Sequence, residues 1–274
     1  MSAPTMDIGL MGDEVTALLK AFKLPTAANE LVPRLRTAGH DEALSLIHEV
    51  LGMERDDRYQ RRVARLLYKS KLPPSKTFET LKMDRLPRPL AAKIRDLARG
   101  DFLDQAINAL AVGLPGTGKT HVASAISHSL VAAGHSVLYV PTFKLVQELL
   151  QAKRDLELPR ALRKLDAYEL IVLDDIGYVQ QSADEVEVLF TLLAERYERR
   201  SVLVTTNLVF SQWDQIFKNP MTTAAAIDRF VHHCVILEFD LPSYRAGDDP
   251  IADPPPTKAE EKRRARPRRK RGKK

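Results

Sequence analysis

The sequence predicts an α/β protein: a parallel sheet covered by helices on both faces, preceded by a small all-helical domain. Three observations carry this prediction. Short, uninterrupted apolar runs alternate with helix-like stretches between residues 108 and 239, and strands apolar along their whole length belong to parallel sheets buried on both faces. A glycine-rich loop, Gly113 to Thr120, joins the first of these runs to a helix-like stretch. Ahead of both, residues 13–70 place their apolar side chains at helical spacing.

Taken in order, Val15, Leu18, Leu19, Phe22 and Leu24 make one apolar stripe that Pro25 interrupts, and Leu31, Leu35, Leu44, Ile47 and Leu51 continue the pattern. From Glu54 to Ser70 the charge pattern changes. Arg55, Arg58, Arg62, Arg65 and Lys69 recur at steps of three and four, which gathers five cations on one helix face, with Val63 and Leu66 on another. Glu54, Asp56 and Asp57 read as the start of that helix, where acids favour the N-terminal dipole. The cationic face reads as a DNA contact or as a solvated helix surface. Lys71-Leu-Pro-Pro-Ser-Lys76 breaks the helix, and Pro87 and Pro89 punctuate the stretch beyond it. The predicted organisation is a helical domain over 1–72, a linker over 73–100, a nucleotide domain over 101–248 and a disordered tail over 249–274. Within the third segment, strands are expected at 108–112, 137–140, 170–173, 201–205 and 235–239, with helices at 120–133, 142–153 and 183–199.

The loop Gly113-Leu114-Pro115-Gly116-Thr117-Gly118-Lys119-Thr120 completes the pattern G-x-x-x-x-G-K-[ST]. Its strand-before, helix-after context is the one a phosphate-binding loop requires. The glycines let backbone N–H groups approach phosphate oxygens, Lys119 supplies a point charge, and Thr120 offers a hydroxyl to Mg²⁺. The run Leu170-Ile-Val-Leu ends in Asp174 and Asp175. Behind such a loop, Asp174 is expected to hold Mg²⁺, directly or through water, and Asp175 to polarise the attacking water. Ser201-Val-Leu-Val-Thr-Thr206-Asn207 brings polar side chains to the end of another strand, where ligands of open α/β sheets sit. Asn207 reads as a group that orients the water or touches a phosphate, or as a turn cap, or both.

Composition narrows the class. Residues 258–274 hold eleven Lys or Arg against two Glu, a surplus of nine that exceeds the net charge of +6. The remainder of the chain is therefore mildly acidic. Such a tail is too charged to fold and reads as a polyanion-binding or solubilising segment. Cys234 is the chain's single cysteine, which excludes an intramolecular disulfide framework and suits a reducing cytosol. No apolar run approaches the ~20 residues a spanning helix needs, and the N-terminus lacks a secretory pattern. The expectation is a cytoplasmic protein without a membrane partner. His232-His233-Cys234 does not read as a metal site, because neighbours in an extended segment point to opposite faces. Trp213 reads as core or domain seam, and Tyr139, Phe143, Tyr168 and Tyr178 as packing groups.

The loop, the acidic strand with Ile176-Gly-Tyr178, Thr205-Thr-Asn207, Phe210-Ser-Gln-Trp213, Ala225 to His233 and Ser243-Tyr-Arg245 succeed one another in a fixed order. From about Val15 to Arg245 the chain resembles the IstB-like ATP-binding proteins, helper ATPases of insertion-sequence transposition. These are AAA+ P-loop NTPases related to DnaC-type helicase loaders and to DnaA. The resemblance implies ATP and Mg²⁺ as cofactors, a homo-oligomer with ATP bridging its interfaces, and double-stranded DNA and a transposase as partners. It implies an arginine finger at Arg229, reaching the neighbouring subunit's nucleotide, and a second sensor at Arg245. Surface ion pairs such as Asp228–Arg229 and Asp240–Arg245 are the alternative roles. Asp175 departs from the glutamate common in the wider class, which leaves open an ATP-bound scaffold with negligible turnover. A helicase loader is the other alternative.

Overall fold

The computed structural model describes residues 8–176, 182–208, 212–213, 230 and 233–243. Three helices open the chain: α1 (Ile8–Ala21), α2 (Pro25–Thr37) and α3 (Ala43–Ser70). Val15, Leu19, Ala28, Val32 and Leu44 form their shared core. Pro25 stands at the first position of α2, where its missing N–H is one the helix could not use.

The acids at 54–57 do not mark a helix start. α3 runs unbroken for 28 residues, so Glu54 and Asp57 lie inside it and pair one turn on, with Arg58 and Arg61. The charge pattern changes because the helix changes neighbours. Leu44 sits in the N-terminal cluster, with Ile47 and Leu51 against it. Val63 and Leu66 instead lie against the core on one face of the sheet.

The stretch expected as a linker is also structured. A short 3-10 turn (Met83–Arg85) leads to α4 (Arg88–Arg99). Leu90, Ala91, Ile94 and Leu97 recur at helical spacing and are buried in the same core as Val122 and Ile126. Pro89 occupies the first turn of α4, where proline is tolerated rather than disruptive. Then come α5 (Asp101–Asp104), β1 (Asn108–Gly113), α6 (Lys119–Ala132), β2 (Val137–Pro141), α7 (Thr142–Arg154), α8 (Leu158–Asp166), β3 (Leu170–Asp174), α9 (Ala183–Arg196), β4 (Ser201–Thr206) and β5 (Cys234–Phe239). The expected helices do not include α8. It lays Leu158, Ala161, Leu162 and Leu165 against the core. Buried Arg196 anchors it by donating to the carbonyls of Leu165, Tyr168, Glu169 and Ser201. A Ser182–Glu185 capping box starts α9, satisfying N–H groups that a helix end otherwise leaves bare.

The five strands are parallel, in the order β2-β3-β4-β1-β5. Their side chains alternate between two cores. Ala109, Ala111, Tyr139, Val172, Leu203 and Leu237 face α4 and α6. Leu110, Leu138, Val140, Ile171, Leu173 and Val204 face α7 and α9. Both faces are thus covered, as the uniformly apolar strands require.

Ile94 is fully buried on α4. Ile94→Ala should lower unfolding free energy by about 2–5 kcal/mol, measured by denaturant titration. A flexible linker would tolerate the change within about 0.5 kcal/mol.

Candidate active site at the carboxyl edge of the sheet

The loop begins where β1 lies against β5. Gly113 is in register with Phe239, and a Cβ placed on it would sit 2.4 Å from the Phe239 carbonyl oxygen, at a φ of +156°. Glycine is therefore required by the neighbouring strand as well as by the loop. Gly118 takes a φ of +98° at the N-cap of α6, a conformation that glycine adopts without a Cβ penalty. Thr117 donates its hydroxyl to the Leu114 carbonyl (2.8 Å) and steadies the loop from within. Lys119, the first residue of α6, directs its ammonium across the loop to the carbonyls of Gly113 (2.6 Å) and Leu114 (2.8 Å). The loop therefore holds a cation at the positive end of a helix, an arrangement suited to anionic phosphate.

Asp174 closes β3, two strands away from the loop. α6 brings Thr120 to it: the hydroxyl donates to Asp174 Oδ1 at 2.9 Å. From β4, Thr205 donates to the same oxygen at 2.7 Å. From β2, the phenol of Tyr139 donates to Oδ2. Thr142, opening α7, donates to the Asp174 carbonyl at 3.0 Å. Burial foremost, with the Asp174 carboxylate adding to it, pushes the Tyr139 phenol well above its ordinary range. It remains a neutral donor at any physiological pH. Tyr139 is buried, but it is a polar anchor as well as a packing group. Phe143, by contrast, is 60% exposed and does not pack into the core.

Asp175 departs from the strand into left-handed backbone at φ +65°, which non-glycine residues seldom adopt. Its N–H donates to the Thr205 hydroxyl at 2.8 Å. Thr205 thus accepts from one acid's backbone and donates to the other acid's side chain. Desolvation, then the Asp174 charge, raises the Asp175 carboxyl above its usual range, while Lys119 pulls the other way.

Asn207 leaves β4 half-buried, with a buried Oδ1 that has no hydrogen-bond partner among the described residues. At the same strand exit the Thr206 hydroxyl accepts from the Leu208 N–H at 3.0 Å. Asn207 borders a cleft of about 400 Å³ beside the loop, lined also by Val112, Gly113, Leu114, Ile236 and Phe239. Arg229, Arg245, His232 and the tail lie outside the described residues.

The oxygen set fits Mg²⁺. A hydroxyl and a carboxylate meet at 2.9 Å beside the phosphate loop, and Mg²⁺ is commonly held by one or two carboxylates together with substrate phosphates. Among the described residues no three His, Cys, Asp or Glu side chains gather into a metal cage. Burial pushes the Cys234 thiol up to about 12, which favours the protonated form at neutral pH.

The cationic face of α3 is only partly free. Arg55 pairs with Asp56. Arg58 pairs with Glu54 and lies 4.3 Å over the Phe22 ring. Arg62 donates to the Gly134 carbonyl at 3.1 Å, just past the end of α6. Arg65 and Lys69 are exposed and have no acidic partner among the described residues.

A phosphate loop on β1, an acid at the end of β3 and β4 between them give the chain the AAA+ type of P-loop fold. The chain belongs to the IstB-like ATP-binding protein family, whose model matches residues 16–249. A Sinorhizobium fredii protein named for ATP binding in an insertion sequence is 39% identical over 232 residues, covering 83% of this chain and 78% of that protein. A Pseudomonas aeruginosa protein so named for insertion sequence IS21 is 32% identical, covering 85% and 88%. Among solved structures, AMPPCP-bound DnaA from Aquifex aeolicus matches with a TM-score of 0.52 at 16% identity, covering 63% of this chain and 52% of that one. DnaI matches with a TM-score of 0.51 at 20% identity, covering 61% and 94%. These two likenesses concern the fold alone. Among the described residues no helix is long and apolar enough to cross a membrane.

Gly113→Ala should force β5 or the loop to move. It should destabilise the chain by about 1–3 kcal/mol, seen as a lower melting temperature, and should weaken nucleotide binding in the same preparation.

Proposed function

We propose that this chain is an ATP-hydrolysing switch of insertion-sequence transposition that assembles on target DNA and recruits or activates a transposase. The observation that carries the reading is the meeting of Thr120 and Asp174 at 2.9 Å beside Lys119 and its loop. Family membership and the insertion-sequence names of the relatives support the biological setting. In this reading the loop N–H groups and Lys119 grip the phosphates. Thr120 and Asp174 hold Mg²⁺, which when bound neutralises phosphate charge. Asp175 orients the attacking water and accepts its proton, and Asn207 offers its side-chain amide to that water or to the γ-phosphate. Arg229 acts as a finger into the neighbouring subunit's site, and Arg245 senses nucleotide within its own. ATP thereby bridges subunits, and hydrolysis resets the assembly.

A scaffold with negligible turnover is the second reading. Asp175 favours it, being one methylene shorter than glutamate and set on left-handed backbone. Phosphate release with and without duplex DNA separates the two. Under the first reading DNA stimulates release; under the second neither condition gives turnover.

Lys119→Ala should abolish binding of a fluorescent ATP analogue while the folded state persists, and undiminished binding would refute the nucleotide site. Asp175→Asn should bind the analogue and release phosphate at least ~100-fold more slowly.

DNA contact is assigned to the free end of the α3 face, Arg65 and Lys69, with the tail adding general affinity. Charge reversal at both positions should eliminate ATP-dependent DNA binding. Deleting 258–274 should weaken binding and reduce its salt slope, by about 0.9 for each phosphate no longer neutralised, while keeping the ATP dependence. Loss of ATP-stimulated binding on tail deletion alone would place the site on the tail.

A further inference from the structure

Tyr139 is a phenol in the middle of an otherwise apolar strand, Val137-Leu-Tyr-Val140, and it is buried. Packing alone would be served by phenylalanine, and a buried hydroxyl is costly unless it has a partner. Strand register supplies the partner. Tyr139 stands opposite Val172. Asp174 lies two residues further on and shares that face. An aromatic side chain spans such a diagonal between adjacent strands, and the phenol donates to Asp174 Oδ2.

β4 acts from the other side. Leu203 is level with Val172, so Thr205 lies level with Asp174 and on the same face. Its hydroxyl donates to Oδ1 at 2.7 Å. The carboxylate is therefore held at each oxygen by a different flanking strand, and Oδ1 is kept turned toward Thr120 on α6.

We propose that Tyr139 and Thr205 are positioning residues that fix the rotation of the Asp174 carboxylate and so tune the site for Mg²⁺ over larger cations. This rests on reading the site as a Mg²⁺–nucleotide site. Mg²⁺ requires near-ideal octahedral geometry at about 2.0–2.1 Å, whereas Ca²⁺ accepts irregular sets at about 2.3–2.6 Å. A carboxylate free to swing about its Cβ–Cγ bond would still serve Ca²⁺ but would serve Mg²⁺ poorly. Groups that orient a metal ligand commonly change metal affinity by about 10- to 100-fold when removed.

The test uses the full chain and a fluorescent ATP analogue, titrated with Mg²⁺ or with Ca²⁺ from a metal-chelated start. For Tyr139→Phe, the Mg²⁺ concentration giving half-maximal tightening should rise at least about tenfold. The corresponding Ca²⁺ concentration should rise by less than about threefold. Nucleotide affinity in chelator should equal that of the wild type, which also certifies the fold. Thr205→Val, on the opposite strand, should show the same Mg²⁺-selective loss and carries the test if Tyr139→Phe does not fold. An equal shift for both cations, or no shift, would overturn the inference. Weaker binding in chelator would assign Tyr139 to supporting the loop and would also overturn it. A wild-type chain whose nucleotide affinity ignores Mg²⁺ would refute the nucleotide reading itself, with the inference falling as its consequence.

Discussion

Three hydroxyls converge on the carboxylate of Asp174, from Thr120, Thr205 and Tyr139. The rest of the site depends on that convergence. Each donor comes from a different element, so the cluster exists only if β2, β3 and β4 are parallel and in one register, with α6 lying over their shared face. A slip of one residue in β2 would turn Tyr139 to the opposite core. The apolar packing on the two faces of the sheet thus has a chemical as well as a structural role: it sets the register that brings three hydroxyls to one acid. Thr205 extends the cluster to Asp175, whose unusual backbone is held by its N–H bond to the same hydroxyl.

α6 carries the site's geometry outward. It starts at Lys119 and ends at Ala132, a rod of about 21 Å. At its far end Tyr59 donates to the Ala132 carbonyl and Arg62 to that of Gly134. A cation at the carboxyl end of a helix is electrostatically favourable, so these contacts of α3 are well founded. Arg62 therefore serves attachment, Arg55 and Arg58 have acid partners, and Arg65 and Lys69 remain as the cations of the expected face with no acidic partner among the described residues. The long helix that opens in the N-terminal cluster is joined directly to the helix that begins at the phosphate loop.

The parts legible in the sequence are those with local signals. The glycine loop, the five apolar runs and Asp174 at a strand end need only spacing and alternation. α4 escapes because Pro89 reads as punctuation, yet it sits in the helix's first turn, where proline costs little, as Pro159 does in α8. The continuous α3 is obscured for another reason. A helix that passes from one neighbour to another changes its surface pattern without ending, so Glu54 looks like a start. Tyr139 and Thr205 as partners of Asp174 are not legible, because pairing Tyr139 with Val172 and Leu203 with Val172 is a tertiary fact. The capping of the β4 exit by Thr206 likewise depends on the path of the chain just beyond the strand.

On the proposed function, Thr120 and Asp174 act as a single cation-binding unit at the phosphate loop. A double-mutant cycle tests it most directly: Thr120→Val, Asp174→Asn and the combined variant, each compared for the strengthening of ATP-analogue binding by Mg²⁺. If the two oxygens serve one ion, either single change should remove most of that strengthening, and the combined variant should be little worse than Asp174→Asn alone. Losses that add in full, as independent sites do to within about 0.5 kcal/mol, would contradict the shared site.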